Sequence, residues 1–216
     1  MKSSVVRIAV VVAVSMLLAF SVAASAASPE EFVPILEHEG NLVENPDFGS
    51  GHVGWNTFGP SGPFIWSLVD DSPFGKAMRV EGALSYDLVY QDVFGLEPGV
   101  EYVAYGWVKT DIAADNAFAR VTVASYNAAQ DVIQYVFSRD QRIVDGDPIG
   151  QRGEVDWQLH RVTFTPPEGT AYITIQGTSM GAWDFEDSAM WTGFVVVRRD
   201  SLSDEQYLLF DTVYSN

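Results

Sequence analysis

The sequence has no cysteine, only three histidines, and 12 Lys and Arg residues against 29 Asp and Glu. Without thiols there is no disulfide framework, no thiolate zinc site, no redox pair and no lipid-modified N-terminal cysteine. The histidines, His38, His52 and His160, all precede Gly177-Thr-Ser179-Met-Gly181, which matches the Gly-x-Ser-x-Gly pattern by letters. A nucleophile elbow needs a strand–turn–helix setting and a His downstream of its Ser, so the match is chance. The formal charge of −17 disfavours nucleic acid and anionic lipid as partners. It says nothing specific about what is bound, because an acidic surface also simply keeps a protein soluble. Also missing are internal repeats, low-complexity stretches and any sustained 3.6-residue apolar period.

What is present begins with an export signal. Lys2 and Arg7 form a basic start, Ile8 to Ala24 is almost wholly apolar, and Ala24-Ser25-Ala26 is a small-x-small cleavage site. The apolar run is at the short edge of the roughly 17–25 residues that span a bilayer. Residues 1–26 therefore read as a cleaved signal peptide, which implies a secreted or periplasmic protein with no membrane association after cleavage. The remainder, about 190 residues, suits one all-β domain with a full core. Residues 27–40 read as a leader or linker without core pattern, residues 41–200 as the domain, and residues 201–216 as a tail. Whether Tyr207-Leu-Leu-Phe210 in that tail is a short helix or a closing strand stays open.

Short β-branched and aromatic runs broken by turn residues are the all-β pattern. Expected strands are Phe64–Val69, Ala77–Glu81, Asp87–Phe94, Glu101–Thr110, Phe118–Asn127, Val132–Arg139, Leu159–Thr165, Ala171–Gly177 and Trp191–Arg198. Pro98-Gly99, Asp145-Gly-Asp147-Pro148 and Pro166-Pro-Glu-Gly169 supply turn chemistry between them. Strands of this number and length make a two-sheet jelly-roll β-sandwich.

Four motifs carry a family resemblance. Asn41-Leu-Val-Glu-Asn-Pro-Asp-Phe48 leads to Gly54-Trp55. Gln91-Asp-Val is followed by Leu96-Glu-Pro-Gly-Val-Glu-Tyr102 and Trp107-Val-Lys109. Asp156-Trp157 precedes Val162-Thr-Phe164-Thr-Pro-Pro-Glu-Gly169, and Ala171 to Val197 has the length and pattern of two final strands. In this order they resemble the carbohydrate-binding modules of the family 4, 9, 16 and 22 type, galactose-binding-like jelly rolls, over about residues 41–198. The resemblance implies a non-catalytic polysaccharide- or oligosaccharide-binding protein.

Glycan recognition needs aromatic faces for pyranose rings and a few polar groups for hydroxyls. The chain holds 6 Trp, 9 Tyr and 13 Phe, enough for a core and a platform, and strand parity is the means of separating them. In Phe118–Asn127, Ala119, Val121, Val123 and Ser125 form the inward side, leaving Arg120, Thr122, Ala124 and Tyr126 outside. In Ala171–Gly177, Ile173 and Ile175 point in, and Tyr172, Thr174 and Gln176 point out. By resemblance, Gln176 falls near a ligand-contacting acidic position of the xylan-binding members and Tyr86 near a stacking aromatic, although the loop before Tyr86 is shorter here. Two strands are ambiguous. Trp107 belongs either to the core or to the binding face, and so does Tyr135. Trp183 either closes over a bound chain or pins its own loop. Trp55, Trp157 and Trp66 read as core.

The candidate carbohydrate contacts are therefore Tyr86, Trp107, Arg120, Tyr126, Tyr135, Gln176 and Trp183, with rings on sugar faces and Arg120 and Gln176 bonded to hydroxyls. The acidic field favours neutral polysaccharides of plant or microbial type, β-glucans or xylans by default, unless Arg120 and Arg161 form a local basic patch. Related modules carry a structural calcium, but its carboxylate positions read Gly49 and Gly193-Phe194 here, so no metal or other cofactor is expected at that site. Asp145 with Asp147, or Asp184, Glu186 and Asp187, are acidic groups elsewhere that read as solvated loops. The alternatives are a surface or matrix protein that uses the sandwich for protein contacts, and a small polysaccharide-degrading enzyme with two carboxylates across a cleft.

Overall fold

The computed structural model describes residues 28–138 and 150–208. The expected signal peptide, Asp145, Asp147 and the end of the tail from residue 209 lie outside the described residues. Ten strands run through the rest: β1 (Asn56–Phe58), β2 (Trp66–Val69), β3 (Ala77–Glu81), β4 (Asp87–Val93), β5 (Tyr102–Asp111), β6 (Phe118–Tyr126), β7 (Val132–Phe137), β8 (Val155–Phe164), β9 (Tyr172–Met180) and β10 (Ser188–Arg198). They form two antiparallel five-stranded sheets, a front sheet ordered β1-β4-β9-β6-β7 and a back sheet ordered β2-β3-β10-β5-β8. The expected all-β sandwich is what the chain adopts. β1 is an addition, too short and too close to glycines to carry a readable alternation.

The core lies between the sheets. Val121, Val123, Ile173 and Ile175 of the front sheet face Met78, Val80, Tyr102, Trp191 and Phe194 of the back sheet, all of them buried. Gly177 makes room for Trp191, since a Cβ there would sit 2.6 Å from the indole. β10 slips register between Thr192 and Val195, with Gly193 at φ +62°. A bulge of this kind resets strand parity. It places Ala189 and Trp191 inward before the slip and Phe194 and Val196 inward after it, so two large rings only three residues apart enter one core.

The opening motif is structural. The Asn41 carboxamide oxygen accepts from the Val43 and Val196 amides, and its nitrogen donates to the Leu36 carbonyl. Gln91 pairs with the backbone of Glu44 in both directions. Asn45 folds the following turn by bonding Ser50, Gly51 and Val53. This seats Phe48 against Trp55, their ring centroids 4.8 Å apart.

Residues 29–36 correct the expectation of a patternless leader. They form a helix, α1 (Pro29–Leu36), opened by a capping box between Ser28 and Glu31 with Pro29 in its first turn. Phe32 and Ile35, one turn apart, are fully buried on the outer face of β5 and β10. Val103, Tyr105 and Trp107 pack beneath them, while Tyr102, Ala104 and Val108 face the main core. The ambiguity of β5 is thus resolved by burial of both faces. A second helix, α2 (Asp204–Leu208), brings Tyr207 onto the same outer cluster.

Candidate functional site

The front sheet keeps its outer face open, and the antiparallel register arranges that face in rows. One row holds Asp92, Thr174, Ala124 and Tyr135, and the next holds Tyr90, Gln176, Thr122 and Phe137. On one side Tyr172 lies directly opposite Tyr126, and on the other Leu88, Thr178 and Arg120 align. Threonine and alanine at the middle positions keep the floor low, and rings rise around it. The result is a groove of about 420 Å³ walled by Tyr86, Tyr90, Tyr126, Tyr135 and Tyr172, with Phe58 at its rim.

The tyrosines are organised rather than scattered. Tyr126 and Tyr172 stack face to face, centroids 4.9 Å apart and planes 3° from parallel, and the largely exposed Phe94 extends the row against Tyr172 at 5.5 Å. On the edge strand β7, Tyr135 stacks on Phe137. Tyr86 precedes β4, and its hydroxyl donates to the Gln176 Oε1 at 3.4 Å. Gln176 in turn donates to Thr174 at 2.6 Å, which holds the amide at the floor. Burial, with Tyr135 and Tyr126 nearby, pushes the Tyr86 phenol up to about 12, and Arg120 opposes the shift. Burial also raises Tyr126 and, less enclosed, Tyr172 and Asp92. Tyr86, Tyr126 and Tyr172 are therefore held in the neutral form.

Five of the seven residues expected from sequence meet on this face. Tyr86, Tyr126, Tyr135 and Gln176 line the groove. Arg120 sits on the same outer face beside it, its guanidinium carbon 3.7 Å above the Phe137 ring. Two expectations are corrected. Trp107 is only 2% exposed on the other sheet, packed under α1 against Phe32 and Phe74. Trp183 is buried in the main core, its indole N–H donating to the Met180 carbonyl, so it pins its loop. Arg161 is also remote, on β8 with its guanidinium facing the Tyr207 ring, so no joint patch with Arg120 exists.

The acids Asp184, Glu186 and Asp187 do not converge either. Asp187 accepts from the Ala113, Ala114 and Asp184 amides and ties two loops together. Among the described residues, no group of three or more His, Asp or Glu side chains is placed to hold a metal ion.

Tyr90, Asp92 and Tyr172 are groove residues beyond those selected from sequence. Tyr172 had an outward parity, and the alternation of Leu88, Tyr90 and Asp92 with Val89, Gln91 and Val93 carried the signal for the other two. Phe58 had no such signal, because β1 spans three residues.

No protein-family model matches the chain, and no curated protein matches it. Solved structures do. The two-sheet sandwich is similar in fold to several carbohydrate-binding modules. A family 61 module in complex with β-1,4-galactotriose aligns at 17% identity and a TM-score of 0.50, covering 74% of this chain and 99% of that one. The C-terminal family 22 module of Clostridium thermocellum Xyn10B aligns at 12% identity and 0.52, over 77% and 99%. The enzymatically active domain of bacteriophage CBA120 tailspike protein 4 aligns at 13% and 0.54 over 74% of this chain, which spans 21% of that structure. At these identities the likeness establishes the fold and not the ligand.

Proposed function

We propose that this protein binds a polysaccharide or oligosaccharide non-catalytically in the front-sheet groove. The observation that carries the reading is the Tyr126–Tyr172 pair beside the Tyr86–Gln176 hydrogen bond. It puts two flat apolar faces and a fixed set of donors and acceptors in one open cleft. Pyranose rings present apolar C–H faces to stack on such rings and hydroxyls to bond to the amide and phenols. Backbone sugars bound this way are neutral, in keeping with the chain's charge of −17, which repels dense polyanions such as pectate or alginate. The export signal read in residues 1–26 goes with action outside the cytoplasm.

Hydrolysis is disfavoured by the groove's own chemistry. Glycoside cleavage uses two carboxyl groups about 5–10 Å apart, and among the described residues Asp92 is the single carboxylate lining the groove. A flat protein-contact face is a poorer description of a surface with a polar floor between tyrosine walls.

Affinity electrophoresis through gels containing xylan, mixed-linkage glucan, galactan or hydroxyethyl cellulose tests the reading. Retardation in at least one gel, lost in Tyr126→Ala, is expected. Unretarded migration in every gel overturns it in favour of the protein-contact alternative.

A further inference from the structure

At one end of the groove's face stands a cation that has no counter-charge among the described residues. Arg120 is 8% exposed. Among the described residues it forms no ion pair, its Nε has no hydrogen-bond partner, and the groups against it are the Phe118 and Phe137 rings. Burying a guanidinium this way is unfavourable unless something offsets the lost hydration, and aromatic faces do so only in part. In a chain with 29 acids and 12 Lys and Arg residues, an Arg with no carboxylate partner among the described residues runs against the composition. Three Arg side chains on the back sheet and its edges show the contrast: Arg79 reaches Glu81, Arg198 reaches Glu97 and Asp200, and Arg199 reaches Asp204.

The position is equally specific. Arg120 is cross-strand from Thr178, and its charge is felt by Tyr86, the phenol that overhangs the floor at Gln176. Asp92 is cross-strand from Thr174, four residues along β9 from Thr178 and so roughly 13 Å away along the strands. The outer face therefore runs from the Tyr126–Tyr172 pair past Asp92 and the Tyr90–Gln176 row to Arg120, which lies beside the groove. A uniform polyanion would meet Asp92 as well as Arg120. A neutral sugar backbone bearing a single acidic substituent would not.

We propose that Arg120 forms a carboxylate subsite, so that the glycan held in the groove is a neutral pyranose backbone carrying uronic acid side groups. This rests on the carbohydrate-binding reading of the same groove. The carboxylate would accept from the guanidinium as a charge-assisted pair, the kind of contact for which the planar Arg fork is suited and a hydroxyl is a weaker substitute.

The test compares polymers that differ only at the carboxyl group. Glucuronoxylan and a glucuronate-branched arabinogalactan are each run beside their carboxyl-reduced forms in affinity gels, with the unmodified protein and with Arg120→Gln. The unmodified protein is expected to bind at least one native polymer about tenfold or more tightly than its reduced form. Arg120→Gln is expected to bring that ratio to about one. Should the variant fail to fold, the native-against-reduced comparison with the unmodified protein still decides. Equal retention of native and reduced forms overturns the carboxylate subsite while leaving the groove a glycan site. Retention of none of the four polymers overturns the subsite, and the neutral-gel panel then judges the glycan-binding reading separately.

Discussion

Tyr126 on β6 and Tyr172 on β9 are direct cross-strand partners whose rings stack 4.9 Å apart and 3° from parallel. Each holds the other upright, so the pair presents a preformed wall whose ordering is complete before any ligand arrives. Tyr126→Ala and Tyr172→Ala are each expected to weaken glycan retention about tenfold, ~1.4 kcal/mol. The double variant should lose less than the sum, because either single change already breaks the stack. Both rings are half-buried, so urea midpoints should move little. Affinity electrophoresis and chemical denaturation on the same three proteins check both statements.

Trp107 is expected to behave in the opposite way. It is packed on the back sheet against Phe32 and Phe74, and truncation of such a side chain costs about 3–5 kcal/mol. Trp107→Ala should therefore lower stability strongly, while the protein that remains folded binds as before. A denaturation curve combined with binding measured well below the midpoint separates the two effects.

Helix α1 is integral to the domain by the same argument. Phe32→Ala removes a fully buried ring that meets Phe74, Tyr105 and Trp107, at a cost of about 3–5 kcal/mol. A variant of Ser28 to Ala, which removes the capping hydroxyl, should cost about 1 kcal/mol. Equal urea midpoints for these variants and the parent would show that residues 29–36 are a mere leader.

His160 links stability to acid pH. Its Nδ1 lies 2.9 Å from Ser138 Oγ and its Nε2 lies 2.9 Å from Gln151 Oε1. Gln151 donates onward to Val108 and Thr110, and Ser138 accepts from the Val121 amide. In this network Nε2 carries the proton and Nδ1 accepts, and none of these polar partners is charged. Burial lowers the imidazole from 6.5 to about 4. Between those values the unfolded chain takes up a proton and the native protein does not. Stability is therefore full above pH about 6.5 and falls as pH drops toward 4, by about 3 kcal/mol in total. In His160→Gln that portion of the pH dependence should vanish. Parallel slopes of unfolding free energy against pH for the variant and the parent would contradict the assignment.

Much of the outer face of the front sheet was legible because its strands alternate cleanly. In β6 and β9 the inward Val121, Val123, Ile173 and Ile175 are β-branched, and the outward Arg120, Tyr126, Tyr172 and Gln176 are polar or amphipathic. A period of two then assigns each side chain to a face. In β5 the same reasoning failed, since both faces of that strand are apolar. Its outward Val103, Tyr105 and Trp107 are covered by a helix whose apolar contact rests on Phe32 and Ile35. The Ser28–Glu31 capping box and Pro29 were the available signs of that helix. Two buried positions in eight residues are too few to show a period.

By itself the sequence determined the secondary-structure class, the places of nine of the ten strands, the inward residues of β6 and β9, and a surplus of aromatics beyond what one core needs. Those follow from local chemistry, since alternation, turn residues and composition act within a few positions along the chain. Tertiary structure decided which aromatics are walls and which are core. Tyr172 meets Tyr126 only through the pairing of β9 with β6, and Tyr86 reaches Gln176 across 90 residues of chain. It also decided that Trp107 is covered and that Arg120 has no carboxylate partner among the described residues. Whether a ring is exposed, or a charge is paired, depends on what the rest of the chain places above it, and that is set by strand order rather than by any stretch of residues alone.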